Sequence, residues 1–287
     1  MRTFHFTYPG NGAAALRGVS LEVPAGQHVA IIGANGSGKS TLVKHLIGLL
    51  RPQRGAVRLF GEDTAARPVG EMARTVGFAF QSPEHQIFSP TVREEVAFGA
   101  RNLGLRGAEL DARVDETLAQ FGLRAYERHP PAVLSFSLRR LVALASIASM
   151  RAPILALDEP LVGLDGLWRR RVIAWLAAHH AAGGTVVMVT HHMRLAAKCD
   201  RVVVMGAGQV IADGPPSVVF RAARSAAGGA PRRAVRGGAG AGAGPGGHAA
   251  LRGGAGGGAE GEANCRRLGS ARRGTHRARA ARHEPVV

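Results

Sequence analysis

The sequence has few cysteines and no long hydrophobic stretch. Only two cysteines, Cys199 and Cys265, occur among the 287 residues, which excludes a disulfide-stabilised framework and is typical of a reducing compartment. The longest segment without Asp, Glu, Lys or Arg spans residues 172–193. Because it contains paired histidines and paired glycines, it predicts a helix, a turn and a strand rather than a membrane span. The first residues lack the apolar run of a signal peptide, so we expect a chain without a membrane anchor of its own.

Acidic residues are also scarce. The chain has 20 Asp and Glu against 37 Lys and Arg, a net charge of +17, while its 46% hydrophobic residues suffice for a sizeable core. Residues 226–287 contain 11 arginines and 3 acidic residues among mostly glycine and alanine. This composition predicts a disordered tail without a specific function, because it buries too little apolar surface to offset its ordering entropy. We expect residues 1–225 to form the folded domain.

Short apolar runs alternate with helical patterns along residues 1–225. Four runs predict strands: Val29–Ile32, Ile154–Leu157, Val186–Thr190 and Val202–Met205. Four segments predict helices: Lys39–Leu50, closed by Arg51-Pro52, and then Thr91–Phe98, Glu109–Phe121 and Leu138–Met150. The last three lie between about residues 82 and 150, where no strand is predicted. The pattern therefore predicts an α/β fold with a mostly parallel sheet and an inserted helical subdomain.

A glycine-rich loop follows the first predicted strand of this series. The segment Gly33-Ala34-Asn35-Gly36-Ser37-Gly38-Lys39-Ser40-Thr41 matches the pattern GxxxxGK[ST] between a strand and a helix. The glycines allow backbone N–H groups to surround phosphates, and the helix N-terminus adds partial positive charge. Lys39 supplies a point charge and Ser40 supplies a hydroxyl for Mg²⁺. The loop predicts a nucleoside triphosphate site.

Two carboxylates support this prediction. Asp158 and Glu159 end the apolar run Ile154–Leu157. Asp158 is expected to hold Mg²⁺, and Glu159 to act as the general base that activates the attacking water.

With these motifs in order, the chain resembles the ATP-binding subunits of ABC transporters over about residues 3–222. The resemblance implies a P-loop NTPase core of the ABC ATPase type, preceded by N-terminal antiparallel strands, that hydrolyses ATP. It assigns Tyr8, in FHFTYPG, to adenine stacking and Gln81, in FAFQSPEHQIFSP, to Mg²⁺ and to contact with the transmembrane partner. It places Asp165 in the D-loop, LVGLD, and His191, in VVMVTHHM, at the γ-phosphate. A core tyrosine and a structural histidine are the alternative interpretations of Tyr8 and His191.

Within that family, the runs FQSPEHQIFSPTVREEVAFGARNLGL and DRVVVMGAGQVIADGPPSVVF resemble the energy-coupling factor branch. The branch drives uptake of cobalt, nickel or vitamins. The resemblance implies a complex of two ATPase subunits, a transmembrane coupling protein and a membrane protein that captures the substrate, with this chain at the cytoplasmic face of the plasma membrane. Residues 81–98 are expected to receive the coupling protein through Ile87, Phe88, Val92 and Val96, together with Glu94 and Glu95.

One family motif is altered. The signature LSGGQ aligns with Leu134-Ser135-Phe136-Ser137-Leu138, so both glycines and the glutamine are replaced. In the family this motif contacts the γ-phosphate bound by the other ATPase subunit, and here Ser135 retains its hydroxyl. A homodimer would place the altered motif at both ATP sites, so we expect a heterodimer with a second ATPase subunit.

Two alternative functions remain at this point. The charge of +17 is compatible with a non-transport ABC ATPase that acts on nucleic acid, although nearly half of that charge lies in residues 226–287. The altered signature is compatible with a nucleotide-binding subunit of low turnover. A specific nucleic acid partner is not expected.

Overall fold

A computed structural model describes residues 2–10 and 12–228, with side chains over residues 4–10 and 12–222. The strands are β1 Arg2–Phe6, β2 Leu16–Val19, β3 His28–Gly33, β4 Arg54–Ala56, β5 Arg58–Leu59, β6 Glu62–Asp63, β7 Val76–Ala79, β8 Ile154–Asp158, β9 Thr185–Val189, β10 Arg201–Gly206 and β11 Gln209–Gly214. The α-helices are α1 Lys39–Leu46, α2 Val69–Met72, α3 Val92–Asn102, α4 Gly107–Phe121, α5 Phe136–Ala148, α6 Gly166–Ala181, α7 Met193–Ala196 and α8 Pro216–Gly228.

A six-stranded sheet forms the core, in the order β11-β10-β3-β9-β8-β7. Only β11 runs antiparallel to its neighbour. Every residue of β8 and β9 is buried, as expected for parallel strands that are covered on both faces. This arrangement confirms the mostly parallel α/β fold. The carboxyl ends of β3, β8 and β9 consequently lie at one edge of the sheet, where the glycine-rich loop and the two carboxylates follow them.

A smaller antiparallel sheet has the order β2-β1-β4; β1 and β2 precede the first core strand, β3, along the chain, and β4 follows it. Its side chains Phe4, Phe6 and Leu16 are buried. The ring of His45, on α1, packs edge-on against Phe4 and Phe6 at centroid distances of 5.1 and 4.8 Å. This packing joins the antiparallel sheet to the helix that follows the glycine-rich loop.

The helices α3, α4 and α5 lie between β7 and β8 in the chain and confirm the predicted helical insertion. Thr91 caps α3 by accepting a hydrogen bond from Glu94 N at 3.2 Å, and its hydroxyl donates to the Glu94 carboxylate at 2.9 Å. Apolar residues from all three helices, including Val96, Leu118 and Leu141, are completely buried. In the described part of the chain, no helix is long and apolar enough to cross a bilayer.

Several predicted helix boundaries were wrong. Helix α3 continues to Asn102 rather than Phe98, α4 begins at Gly107 rather than Glu109, and α5 ends at Ala148 rather than Met150. Helix α1 ends at Leu46 rather than Leu50 because Gly48 adopts a left-handed backbone conformation, with φ of 70°, just after the helix. Leu49 is therefore exposed. Helix α5 begins at Phe136 rather than Leu138, because Ser135 acts as its N-cap.

The prediction for residues 81–98 was wrong in part. Val92, Glu95 and Val96 lie on the buried face of α3, and Glu95 is only 2% exposed, so these three side chains pack inward. Phe88 is exposed, as the docking prediction requires, and so is Phe98, which the prediction did not name; their ring centroids are 4.6 Å apart.

Most of the predicted tail lies outside the described residues. Helix α8 ends at Gly228, so its last three residues overlap the segment 226–287. The remainder of that segment, from residue 229, is outside the description.

The buried His28 gives the fold a pH-dependent stability. Its ring lies 5.5 Å from that of His180, and its backbone N–H donates to Asp200 at 2.8 Å. Burial, together with His180 and His179 and against the opposing effect of Asp200, lowers the pKa of His28 from 6.5 to about 4. Between these two pKa values the unfolded chain binds a proton at His28 that the folded chain does not. The free energy of unfolding therefore falls as the pH falls through this interval.

We expect wild type to lose about 2 kcal/mol of unfolding free energy between about pH 7 and about pH 5 through this group. Chemical unfolding of His28→Phe should show a smaller loss over the same interval, since the substituted ring does not titrate. The exposed His85 provides the control, and His85→Gln should retain the wild-type dependence. An unchanged dependence in His28→Phe would contradict this origin.

Candidate active site

The glycine-rich loop leads from β3 into α1 with backbone geometry that requires glycine. Gly33 has φ of 146°, and a Cβ atom there would lie 2.2 Å from the carbonyl oxygen of Met205. Gly38 has φ of 95°, and its Cβ atom would lie 2.7 Å from the oxygen of Ala15. Gly38 is also the N-cap of α1 and provides no capping side chain. The N–H groups of the first turn are therefore available to an anion.

A cavity of about 440 Å³ opens in front of this loop. Most of the predicted site residues line it, together with Ala15 and Val189: Tyr8, Asn35, Gly36, Gly38, Lys39, Ser40, Thr41, Gln81, Asp158, Glu159 and His191. Residues that are separated by up to 183 positions in the chain thus border one cavity. Lys39, Gln81, Glu159 and His191 come after neighbouring parallel strands of the core sheet, whereas Tyr8 follows β1 of the antiparallel sheet. Gly33, Ser37, Ser135 and Asp165 are not part of the cavity lining.

Lys39 provides a buried positive charge at the base of the cavity. Its Nζ donates hydrogen bonds to the carbonyl oxygens of Gly33, at 2.9 Å, and Ala34, at 2.8 Å. Burial lowers the pKa of Lys39, while Glu159 and Asp158 act in the opposite direction. The ammonium group is thus held against the loop, at the position where phosphate oxygens would meet the N-terminus of α1.

Glu159 follows β8 in a conformation that is uncommon for a residue with a side chain. Its φ is 52°, and its N–H donates to Val189 O on β9 at 3.0 Å. One carboxylate oxygen accepts a hydrogen bond from His191 N at 3.3 Å, and the other lies 3.2 Å from His191 Nε2. Burial raises the pKa of Glu159, and His191 opposes that shift. A carboxylate of raised pKa, held in place on two sides, is suited to accept a proton.

The donor set fits a magnesium ion. Asp158 is 3% exposed, and its Oδ1 atom is buried without a hydrogen-bond partner. The hydroxyl of Ser40 and the amide of Gln81 line the same cavity. These are oxygen ligands of the kind that Mg²⁺ takes alongside phosphates. Among the described residues, no group of three or more His, Cys, Asp or Glu is arranged to hold a metal by itself.

Tyr8 borders the same cavity and contacts the helix that follows the glycine-rich loop. Its hydroxyl is 3.2 Å from Thr41 Oγ1, and its ring stands edge-on to Phe6 at 4.9 Å. The ring is half-buried and borders the cavity. It is thus fixed at both ends while it still faces the open space.

The altered signature contacts the D-loop of the same chain. Ser135 Oγ accepts a hydrogen bond from Leu138 N at 3.4 Å, and Ser137 Oγ donates one to Gly163 O. The Phe136 ring lies against Gly163, where a Cβ atom would come within 2.4 Å of it. The two residues that replace the signature glycines therefore make contacts that glycine lacks the atoms to make.

Asp165 serves as the N-cap of α6. Its Oδ1 atom accepts hydrogen bonds from Leu167 N and Trp168 N, both at 3.1 Å. Within the described chain its carboxylate is thus occupied locally, away from the cavity lining.

Arg140 is a further residue at this site, and its sequence pattern predicts no role for it. The structure buries its side chain completely at the carboxyl ends of β7 and β8. The available signal was a charged residue directly before a run of apolar helical residues, 141–145, all of which are buried.

Comparisons with known proteins agree with this geometry. The ABC transporter family model matches residues 16–162. A cobalt import ATP-binding protein of Syntrophus aciditrophicus is 43% identical, over 77% of this chain and 79% of its own length. An energy-coupling factor transporter ATP-binding protein of Methanothermobacter thermautotrophicus is 41% identical, over 77% and 72%.

Among solved structures, cbiO1 of Clostridium perfringens, described as part of the ABC transporter complex cbiONQ, superimposes with a TM-score of 0.67. It is 32% identical and is matched over 78% of this chain and 90% of its own. The resemblance found in the motifs is confirmed. The chain therefore belongs to the ABC transporter ATP-binding subunits, a family of ATPases, and within that family to the energy-coupling factor branch.

Proposed function

We propose that this chain binds ATP with Mg²⁺ in the 440 Å³ cavity and hydrolyses it to power solute uptake through membrane partners. One observation carries the proposal. The buried cation of Lys39, the unpaired carboxylate oxygen of Asp158 and the carboxylate of Glu159, fixed by His191, all face the same cavity.

Each group has a distinct task in this proposal. Lys39 and the N–H groups of the first turn of α1 bind the β- and γ-phosphates. Ser40, Asp158 and Gln81 hold Mg²⁺, which neutralises charge that develops on the phosphate oxygens. Glu159 accepts a proton from the attacking water. His191 keeps the Glu159 carboxylate in place and reaches toward the γ-phosphate, and Tyr8 stacks on the adenine.

Two predicted residues act at a neighbouring site in this proposal. Ser135 and Asp165 are not in the cavity lining. Ser135 lies at the N-terminus of α5 and is exposed, so it is accessible to a nucleotide bound by a second ATPase subunit. Asp165 belongs to the D-loop segment that Phe136 and Ser137 contact through Gly163.

The transported solute is a metal ion, cobalt or nickel, or a vitamin. The name of the Syntrophus relative supports cobalt, and that of the Methanothermobacter relative supports the energy-coupling factor assembly. This assembly includes a second ATPase subunit, a transmembrane coupling protein and a substrate-capture protein, and it places the chain at the cytoplasmic face of the membrane. Transport relatives of this kind favour an importer over an ATPase that acts on nucleic acid.

A second candidate function is a nucleotide-binding subunit of low turnover. The contacts of Phe136 and Ser137 with Gly163 favour it, because they occupy the face on which the family uses two glycines. Turnover measured in the complete membrane complex distinguishes the two candidates.

The importer function is tested at the exposed aromatic pair. Phe88 is 64% exposed, and the carboxylate of Glu95 holds its loop by accepting hydrogen bonds from Phe88 N, at 3.1 Å, and Ser89 N, at 2.9 Å. An aromatic side chain presented on a fixed loop is typical of an interface anchor.

We expect Phe88→Ala to weaken binding to the transmembrane coupling protein by about 30-fold, while the affinity of the chain for ATP stays unchanged. Ile211 on β11 is equally exposed, at 65%, and Ile211→Ala serves as the matched control, with no effect on binding. Crosslinks from position 88 should reach the coupling protein. Crosslinks that reach only nucleic acid or soluble proteins would contradict the importer function.

A further inference from the structure

Arg140 is a buried arginine that binds backbone oxygens rather than a carboxylate. Its residue exposure is 1%, and it is the largest of the fully buried side chains in the described part of the chain. Nη1 donates to the carbonyl oxygens of Phe80 and Gln81, and Nη2 donates to those of Asp158 and Glu159, at distances of 2.5–2.8 Å. One guanidinium group thus binds two pairs of consecutive carbonyls, on two different chain segments.

These carbonyls lie where two neighbouring strands separate. The pairing of β7 with β8 continues to Ala79 and Leu157, and the four carbonyls belong to the residues that come next. Carbonyls beyond the end of a ladder need another donor where water is excluded. The hydrogen bonds to Asp158 and Glu159 are buried, and those to Phe80 and Gln81 are partly buried. The planar guanidinium has donors in a fixed geometry. It therefore joins the two segments of the chain at the point where β7 and β8 are no longer paired.

The contact acts directly on the backbone of Glu159. Its N–H is held by Val189 O, at 3.0 Å, and its carbonyl by Arg140 Nη2. Between these two hydrogen bonds the residue keeps a φ of 52°, a conformation that persists in a residue with a side chain only where its surroundings enforce it. The same guanidinium holds the carbonyl of Gln81.

We propose that Arg140 is a positioning residue for ATP hydrolysis, which fixes the backbone of Glu159 relative to that of Gln81. This inference rests on the proposed function, in which Glu159 is the general base and Gln81 a magnesium ligand. Because the residues after Gln81 lead to the exposed Phe88, Arg140 also connects the expected docking segment to the base. Its position on α5, four residues after the N-terminal Phe136, joins the signature helix to the same unit.

The test compares arginine variants in the full chain, assembled with its membrane partners. We expect Arg140→Met to lower kcat by about 10- to 100-fold, because a displaced base loses its alignment with the attacking water. The KM for ATP and the affinity of the full chain for a fluorescent ATP analogue should stay within about threefold, because Lys39 and the glycine-rich loop are untouched. Arg140→Lys should recover part of kcat, since an ammonium group still donates to these carbonyls.

Arg113 offers a matched control. It is a half-buried arginine whose Nη1 donates to the carbonyl oxygen of Ser149 at 3.0 Å, between α4 and the end of α5, away from the cavity. Arg113→Met should lower thermal stability and leave kcat within about twofold of wild type. Equal losses of kcat in Arg113→Met and Arg140→Met would overturn the positioning role. So would a loss of ATP affinity in Arg140→Met that accounts for its loss of turnover.

A double variant separates this inference from the function on which it rests. If Arg140 acts through Glu159, single-turnover hydrolysis by Glu159→Gln with Arg140→Met should stay within about twofold of Glu159→Gln alone. If the fold-losses of the two single variants instead multiply in the double variant, Arg140 does not act through Glu159, and its proposed role is overturned while Glu159 remains the base. Full turnover in Glu159→Gln alone would instead refute the proposed role of Glu159. Should Arg140→Met not fold, the same comparisons are made with Arg140→Gln, whose single terminal NH2 group cannot donate to both pairs of carbonyls. A wild-type kcat in that variant would refute the proposal.

Discussion

Glu159→Gln should retain ATP and lose hydrolysis, with a fall in kcat of about 10²- to 10⁴-fold in the assembled complex. The amide has nearly the same shape as the carboxylate and keeps an oxygen for the N–H of His191, which lies 3.3 Å from the carboxylate. It has lost only the capacity to take a proton from water. The nucleotide should therefore remain bound, and ATP should accumulate on the protein in an equilibrium binding measurement.

The variant Lys39→Ala, in contrast to Glu159→Gln, should lose its affinity for ATP. It removes the cation that lies against the carbonyls of Gly33 and Ala34 at the base of the cavity, so the affinity for ATP should fall first. Glu116, an exposed carboxylate paired with Arg151, supplies the control, and Glu116→Gln should behave as wild type in both measurements. Full turnover in Glu159→Gln would remove this carboxylate from the mechanism.

The pH dependence of kcat gives a second readout of the same group. Burial raises the pKa of Glu159 above its ordinary value of 4.5. Because the base acts in its ionised form, kcat should fall as the pH falls through this raised pKa, and the acidic limb should lie above pH 4.5. The residual rate of Glu159→Gln should lack that limb.

Restoring the family signature should raise hydrolysis by the purified chain by about tenfold or more. The variant carries Phe136→Gly, Ser137→Gly and Leu138→Gln. The wild-type Phe136 ring and Ser137 hydroxyl contact Gly163 of the D-loop, and their removal leaves the N-terminus of α5 open for close approach by a γ-phosphate. Two glycines in the first turn should cost about 1–2 kcal/mol of stability, which thermal unfolding would detect.

The same substitutions test the heterodimer. The unmodified chain alone should hydrolyse ATP slowly, because each site in a homodimer would face the altered signature. A second ATPase subunit with an intact signature should activate the site formed by Lys39, Asp158 and Glu159. Adding Ser135→Ala to the restored variant should remove the gain, since that hydroxyl is the remaining signature donor. Rapid hydrolysis by the unmodified chain without any second ATPase would contradict the heterodimer.

Local patterns determined the parts of this protein that depend on neighbouring residues. The loop from Gly33 to Thr41 could be predicted from the sequence because close backbone approach to phosphate requires glycines at fixed spacing before a helix. The burial of β8 and β9 on both faces made these strands visible as unbroken apolar runs. Since parallel strands end at one edge of a sheet, the convergence of Lys39, Asp158 and Glu159 also followed from chain order.

Contacts between distant segments were decided only by the tertiary structure. The apolar pattern of residues 92–96 identified a helix face, but which face packs inward depends on α4 and α5, with which Val92 and Val96 share a core. Glu95 is buried where its carboxylate accepts hydrogen bonds from Phe88 N and Ser89 N. The end of α1 depends on a left-handed Gly48 that helical periodicity does not register. The role of Arg140 depends on the carbonyls at positions 80–81 and 158–159. These lie close together, beyond the end of the β7–β8 pairing, only once the two strands are side by side. Sequence periodicity reports which residues share a face of one element, whereas the partner of a buried polar group is set by how the elements pack together.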